Sequence, residues 1–270
     1  MNITFIGGGN MASALIGGLM KQGWPPETIA AVDIAQAARE RLEREFGVRA
    51  YADAAAAVQS ADCVVFAVKP QQLHASASPL AALLGTRLVI SIAAGIRASD
   101  IARWLNGHRR IVRAMPNTPA LVRAGMTGLY ALPGVSDADR AIAERVLGAA
   151  GATLWVDDEG HMDGITAVSG SGPAYVFYFL EALQQAAREL GFGTDAAREL
   201  AFKTFSGALK LAGESSDSPE ILRARVTSKG GTTERAIGHL ETHAVKQHIV
   251  EAVAAAALRS RELGDELGGT

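Results

Sequence analysis

The chain of 270 residues has one cysteine, Cys63, so it can form no internal disulfide and must be held together by packing. In the run Cys63-Val64-Val65-Phe66 that cysteine reads as a buried strand thiol rather than a nucleophile. There is no basic run, and 26 Lys and Arg against 28 Asp and Glu leave a formal net charge of −2. Nucleic acid and anionic membrane are therefore not expected as partners, and any anion it binds is small and locally held. The longest apolar stretches, such as 174–180, stop at charges well short of a membrane span, and Met1-Asn2-Ile3-Thr4 lacks a basic leader. The expectation is a soluble, cytoplasmic protein. Also absent are a Ser-His-Asp order, an H-E-x-x-H pattern and Cys/His zinc spacing. His239 and His243, at i and i+4, form the one metal-like pair; without a third ligand no metal site is expected. Fixed-period repeats are missing, and low complexity is confined to the alanine runs 54–57 and 254–257.

What is present points to two domains, since the length exceeds one ordinary domain and 49% apolar residues can build a sizeable core. The first part alternates short β-branched runs with amphipathic helical patterns, the signature of a parallel sheet with crossover helices. Strands are predicted near 3–6, 29–33, 48–51, 63–68, 88–92, 111–115, 126–131 and 153–156. The helix predicted over 35–46 carries Arg39, Arg41 and its other charges on its outer side and ends at Gly47 as a left-handed cap. Another starts at Ser136, with Asp139 completing a capping box. Beyond Asp157 strand signals vanish. The fold class is thus α/β: a Rossmann-type, doubly wound, mainly parallel sheet over 1–158, followed by an all-α domain over 159–270. The segment 174–190 is apolar on more than one face, which predicts a helix buried on all sides. Residues 159–270 alone are few to cover it, so the first domain or a second copy of the chain must help. A homodimer is expected, with assembly into a higher homo-oligomer left open.

Gly7-Gly8-Gly9-Asn10-Met11-Ala12 follows the first strand and opens a helical pattern, matching G-x-G-x-x-A in its required context. Gly7 makes the tight turn, Gly9 admits a pyrophosphate, and Ala12 keeps helix and strand close. Asn10 and Met11 supply the first helical N–H groups. Asp33 ends the second strand, where an acid accepts hydrogen bonds from the adenosine ribose; the alternative is that it caps the following helix. Loops at Val68-Lys69-Pro70 and Ala93-Ala94-Gly95 lie at the carboxyl ends of further strands and face the same ligand. A third, Ala114-Met115-Pro116-Asn117, offers the Asn117 amide. Lys69 is expected to be structural, because nothing near it in sequence would depress its pKa.

A second anion site is written in Thr227-Ser228-Lys229-Gly230-Gly231-Thr232-Thr233. Two glycines let the backbone approach a ligand, and hydroxyls cluster where the next helix begins, a setting that suits a carboxylate. Ser169-Gly170-Ser171-Gly172-Pro173 interrupts a helical pattern: a proline kink, or an opening for a ligand.

Taken together, Gly7 to Ala12, Ala67-Val68-Lys69-Pro70-Gln71, Ser91 to Gly95, Met115-Pro116-Asn117-Thr118-Pro119, Ser169 to Tyr175 and Thr227 to Thr233 resemble the Δ1-pyrroline-5-carboxylate reductases. The resemblance covers essentially the whole chain. It implies reduction of a cyclic imine to L-proline, the last step of proline synthesis, with NADPH or NADH as cofactor. It places Ser228, Gly230, Gly231, Thr232 and Thr233 around the substrate carboxylate and ring, with the Thr233 hydroxyl near the ring nitrogen as the catalytic group. It also places Ala93, Met115 and Asn117 by the nicotinamide. Lys229 stands where many members have proline, and Asp33 departs from the small or amide residues common in NADPH-preferring members. Glu214 and Asp217 both precede Pro219, where members often carry an acid. Such chemistry needs positioning rather than a strong acid, because a protonated imine already carries positive charge. A 3-hydroxyacid-type dehydrogenase is the rival enzyme, but that class uses a lysine on the interdomain helix and there is none from Met162 to Leu200. A non-enzymatic dinucleotide sensor, the other alternative, has no use for the second loop.

Overall fold

The computed structural model describes residues 1–269. Eight strands appear in chain order: β1 (Ile3–Ile6), β2 (Ile29–Val32), β3 (Arg49–Tyr51), β4 (Cys63–Phe66), β5 (Leu88–Ser91), β6 (Ile111–Met115), β7 (Gly125–Ala131) and β8 (Gly151–Trp155). These are the eight strands expected from sequence, with ends shifted by a residue or two. They form one sheet in the order β3-β2-β1-β4-β5-β6-β7-β8. All neighbours pair in parallel except β6 with β7. The central strands read as near-continuous apolar runs, interrupted by Thr4 in β1 and Ser91 in β5, because both faces are covered. Ile3, Phe5, Cys63 and Val65 enter one core, and their alternates Ile6, Val64 and Phe66 enter another. Burial pushes the Cys63 thiol far above its usual pKa, which makes it inert.

The helices are α1 (Asn10–Lys21), α2 (Gln36–Phe46), α3 (Ala54–Gln59), α4 (Pro70–Ala77), α5 (Ala81–Leu84), α6 (Ala98–Trp104) and α7 (Asp137–Gly148). After the sheet come α8 (His161–Ile165), α9 (Gly172–Glu189), α10 (Thr194–Glu214), α11 (Pro219–Arg225), α12 (Thr232–Thr242) and α13 (Val245–Gly268). Strand order reverses between β1 and β4, and the crevice beyond their carboxyl ends is where open α/β sheets bind ligands. Among the described residues no helix is long and apolar enough to cross a membrane.

The chain separates into two compact units drawn differently from the expected cut after residue 158. One holds Met1–Ser171 together with the chain from Ala255 onward, and the other is Gly172–Ala254. The difference arises because α8 and the end of α13 pack on the sheet-bearing unit, as Ser260 Oγ donating to Asp163 Oδ1 at 2.7 Å illustrates.

Three local expectations are corrected. Helix α9 is not buried on all sides within one chain: Val176, Phe177, Tyr178 and Leu183 are exposed and only Leu180 is buried. A periodicity that signals burial does not say which molecule provides it. The Ser169–Pro173 break is not a proline kink. Thr166–Gly170 forms a wide π turn, closed by Ser171 N–H donating to Thr166 O at 2.8 Å. Pro173 then sits in the first turn of α9, where no intrahelical donor is needed. Arg39 and Arg41 do not lie on the outer side of α2 but fold back toward the sheet, with partners given below.

Helix α7 starts at the expected capping box, with the Ser136 side chain accepting from Asp139 N and the Asp139 carboxylate accepting from Ser136 N. Arg110, just before β6, donates Nε to Asp139 Oδ2 at 3.0 Å and holds the nearly buried carboxyl below the usual carboxylate range. Asp139→Ala removes this link between α7 and β6, and because Arg110 is partly solvated the cost is about 2 to 3 kcal/mol. The native carboxyl has the lower pKa, so this stabilisation is complete above the unfolded value of about 3.9 and fades as pH falls through the lowered native value. The gap in Tm between wild type and variant, measured from pH 7 to pH 3, is constant above about pH 5 and narrows toward the acid end.

Candidate functional site

The turn from β1 into α1 shows what its glycines are for. Gly7 has φ +105°, and a Cβ there would lie 2.6 Å from the Ala67 carbonyl oxygen at the end of β4. Only glycine lets the turn pass so close to the neighbouring strand. Gly9 is the N-cap of α1 and offers no side chain to it, and the space above Gly9 is open. The N–H groups of Asn10, Met11 and Ala12 therefore start the helix without intrahelical acceptors, with the positive end of its dipole behind them. Ala12 is buried against the sheet. This geometry suits a pyrophosphate.

Asp33 lies beside it and braces the turn, Oδ2 accepting from Gly8 N at 2.8 Å and Oδ1 from Ala35 N at 2.8 Å. It is not the N-cap of α2; that position is Ala35. Each carboxylate oxygen keeps a second lone-pair direction for a sugar hydroxyl. Sequence reasoning missed Arg41, whose Nη2 donates to Gly8 O at 2.6 Å. Arg39 Nη1 donates to Asp33 O at 2.7 Å and Ile34 O at 3.0 Å. The available signal was two arginines in the opening turns of the helix after an acid-ended strand.

On the other side of β1, Val68, Lys69 and Pro70 lead from β4 into α4, with Lys69 exposed at the N-cap and Pro70 in the first turn. Ala93, Ala94 and Gly95 follow β5, Ala93 and Gly95 being buried. Met115 ends β6, and its side chain lies over Gly170, where a Cβ would be 2.5 Å from Met115 Cε. Asn117 is placed in this region, but its amide does not point free. Its Oδ1 accepts from Met126 N at 2.9 Å, and its Nδ2 donates to Ser169 O at 3.1 Å and Ser169 Oγ at 3.2 Å. The side chain ties the loop to the π turn, a role that needs a partner 52 residues away and is invisible in local sequence.

In the second unit the Gly-Gly-Thr-Thr segment forms the start of α12, with Gly230 at φ +74° and Gly231 as an N-cap without a side-chain bond. The loop curls on itself through Gly231 N–H donating to Ser228 O at 3.0 Å, and a Cβ on Gly231 would meet Ser228 Oγ at 2.6 Å. Glu234, which sequence reasoning passed over, reaches back so that Oε2 accepts from Gly230 N at 2.7 Å, one residue before the N-cap. The N–H groups at Thr232 and Thr233 remain for an anion. An open cleft of about 810 Å³ adjoins the loop, lined by Gly230, Gly231, Thr232, Arg235 and His239 among others. Thr233, half-buried one step around the helix, is outside that lining, while Ser228 and Lys229 are exposed. Of the two acids before Pro219, Asp217 is the structured one, paired with Arg225 and with the Ser215 hydroxyl; Glu214 is exposed. The His239 and His243 rings are 4.2 Å apart, and among the described residues no group of three His, Cys, Asp or Glu comes together.

Comparison with known proteins bears on both segments. Residues 159–263 match the family described as pyrroline-5-carboxylate reductase dimerisation, and residues 2–95 match NADP oxidoreductase coenzyme F420-dependent. The pyrroline-5-carboxylate reductase of Pseudomonas aeruginosa is 45% identical over 98% of both chains. The chain belongs to the pyrroline-5-carboxylate reductase family. A solved pyrroline-5-carboxylate reductase from Coxiella burnetii superimposes with TM-score 0.91 at 42% identity, covering 97% of this chain and 98% of that one. The Plasmodium falciparum pyrroline carboxylate reductase, solved with NADP bound, gives TM-score 0.88 at 26% identity over 98% of each. As a member of the pyrroline-5-carboxylate reductases it forms homo-oligomers, the matched C-terminal module being a dimerisation module. The glycine turn, Asp33 and the loops after β4 and β5 all fall in the first matched segment, and the Gly-Gly-Thr-Thr loop in the second.

Asp33→Ser separates the two roles of this acid in a pyrroline-5-carboxylate reductase. Removing the charge relieves repulsion of a 2′-phosphate by about 1 kcal/mol, so the ratio of kcat/KM for NADPH over NADH rises about fivefold. Loss of the two backbone contacts lowers unfolding free energy by about 1 to 3 kcal/mol. An unchanged cofactor ratio with lowered stability makes Asp33 a brace alone.

Proposed function

We infer that the protein reduces Δ1-pyrroline-5-carboxylate to L-proline with NADPH or NADH, as an oxidoreductase of the last step of proline biosynthesis. The observation that carries this reading is the pairing, in one chain of this family, of two helix starts left bare at glycine: Gly9 for a dinucleotide and Gly231 for a small carboxylate. In this reading 1–158 is the dinucleotide domain and 159–270 the substrate and dimerisation domain. The exposed apolar face of α9 supports a homodimer, since it lacks cover within one chain. A lone buried cysteine is in keeping with a reducing cytoplasm.

Bound NAD(P)H supplies a hydride for the imine carbon of the ring. The chain's own residues bind and orient. The N–H groups at Asn10, Met11 and Ala12, reached past Gly7 and Gly9, hold the pyrophosphate, and Asp33 takes the ribose. Val68, Lys69, Pro70, Ala93, Ala94, Gly95 and Met115 shape the nicotinamide half, with Asn117 fixing the Met115 loop. Ser228, Gly230, Gly231 and Thr232 receive the substrate carboxylate: the two glycines leave the backbone open to it, and the free N–H groups of Thr232 and Thr233 with the Ser228 and Thr232 hydroxyls bind it. The Thr233 hydroxyl orients the ring nitrogen and manages its proton. A positively charged imine needs no stronger acid, so the rate gain comes from holding two reactants in register.

The test is loss of NADPH or NADH absorbance on adding Δ1-pyrroline-5-carboxylate, with proline as product; no substrate-dependent loss with either cofactor overturns the reading. Thr233→Ala keeps the backbone donors and removes one positioned hydrogen bond, so kcat falls by a factor corresponding to about 1 to 3 kcal/mol while KM changes little. An unchanged kcat moves the role to another residue.

A further inference from the structure

The loop Ala93-Ala94-Gly95 is held by the far end of the chain. After β5 it runs through Gly95, at φ +79°, toward α6. Its contact there is the last three turns of α13. A Cβ on Gly264 would lie 2.8 Å from Gly95 O, and a Cβ on Gly95 would lie 3.4 Å from Leu263 Cβ. Ser260, Gly264 and Gly268 are buried at i, i+4 and i+8 on one face of the helix. Gly268 admits the Asp100 carboxylate, which a Cβ would approach to 2.2 Å. Side chains fasten the same contact: Arg97 pairs with Asp265 at 2.6 Å, and Arg103 donates to Gly268 O. The start of α6 is anchored again from α8 and its approach, where Glu159 Oε1 accepts from Ala98 N at 2.7 Å and from the buried Arg113 at 3.1 Å. Asp163, which accepts from Ser260, lies 4.0 Å from the same arginine.

We propose that the last three turns of α13 are a positioning element for the nicotinamide half of the cofactor site, with Gly264 as its central residue. The proposal rests on the dinucleotide reading above. Sheet order gives its direction. The glycine turn is on β1, Asp33 lies to one side on β2, and β4 and β5 lie to the other; a dinucleotide whose adenosine meets Asp33 therefore carries its second half toward Ala93–Gly95. Gly264 is a positioning residue, since it acts through Gly95 O and touches no ligand itself. The element is built for close approach: a methyl group at Gly264 must displace the Gly95 carbonyl or the helix.

The experiment compares Gly264→Val with wild type in the full-length protein by calorimetric titration with two probes. One is NADP⁺ or NAD⁺, whichever wild type binds more tightly; the other is its adenosine half alone, adenosine 2′,5′-bisphosphate or AMP. The expected result is a dinucleotide Kd raised about tenfold or more, corresponding to about 1.4 kcal/mol, with the fragment Kd within about twofold of wild type. Cofactor KM rises in parallel. An unchanged dinucleotide Kd overturns the proposal, and so does an equal rise for both probes, which general loosening of the domain produces. Gly264→Ala, whose single methyl still meets Gly95 O, carries the same test where valine prevents folding. Failure of wild type to bind either dinucleotide overturns the underlying reading instead, and this proposal with it.

Discussion

A helix that begins at a bare glycine leaves N–H groups that must find an acceptor outside the helix. This chain does so at Gly9 and again at Gly231. Helix α10 also starts at an uncapped glycine, Gly193, whereas α3 and α7 are satisfied from within: Asp53 accepts from Ala55 N, and Ser136 and Asp139 close a box. The starts at Gly9 and Gly231 set requirements for their surroundings. Gly7 must pass within reach of the Ala67 carbonyl, Asp33 must brace Gly8, and Glu234 must take the donor of Gly230. Each is a short-range steric or hydrogen-bonding arrangement made by the chain's own groups, and positioning of this kind is what hydride transfer demands.

Supporting contacts come from far along the chain. Arg41 reaches the carbonyl of Gly8, Asn117 reaches Ser169, and Arg113 sits between Glu159 and Asp163. A buried guanidinium with two acidic neighbours is tolerable because its charge is matched in place. The first ties α2 to the glycine turn, the other two join β6 and the loop after it to the helical turns that follow the sheet, and the end of α13 packs on Gly95.

Much of this was legible in sequence for physical reasons. Two-sided burial makes β1, β4 and β5 read as near-continuous apolar runs, and a positive-φ turn leaves few choices but glycine at Gly7, Gly47 and Gly230. What stayed hidden depends on partners distant in sequence. No local pattern announces that Arg39 and Arg41 fold inward, that the Asn117 amide is already bonded, or that Gly264 and Gly268 are close-approach sites rather than weak points in an alanine-rich helix. Helix α9 shows the converse limit, since its apolar pattern records the need for cover while the chain alone supplies little of it.

The most direct measurement of the central claim follows an atom. Reduced cofactor deuterated at the transferring position of nicotinamide C4 is incubated with the protein and Δ1-pyrroline-5-carboxylate, and the amino acid formed is examined by NMR. The account requires L-proline with one deuterium at C5, on a single face. Proline lacking the label, or label distributed over both faces, contradicts direct hydride delivery from the cofactor to an oriented imine.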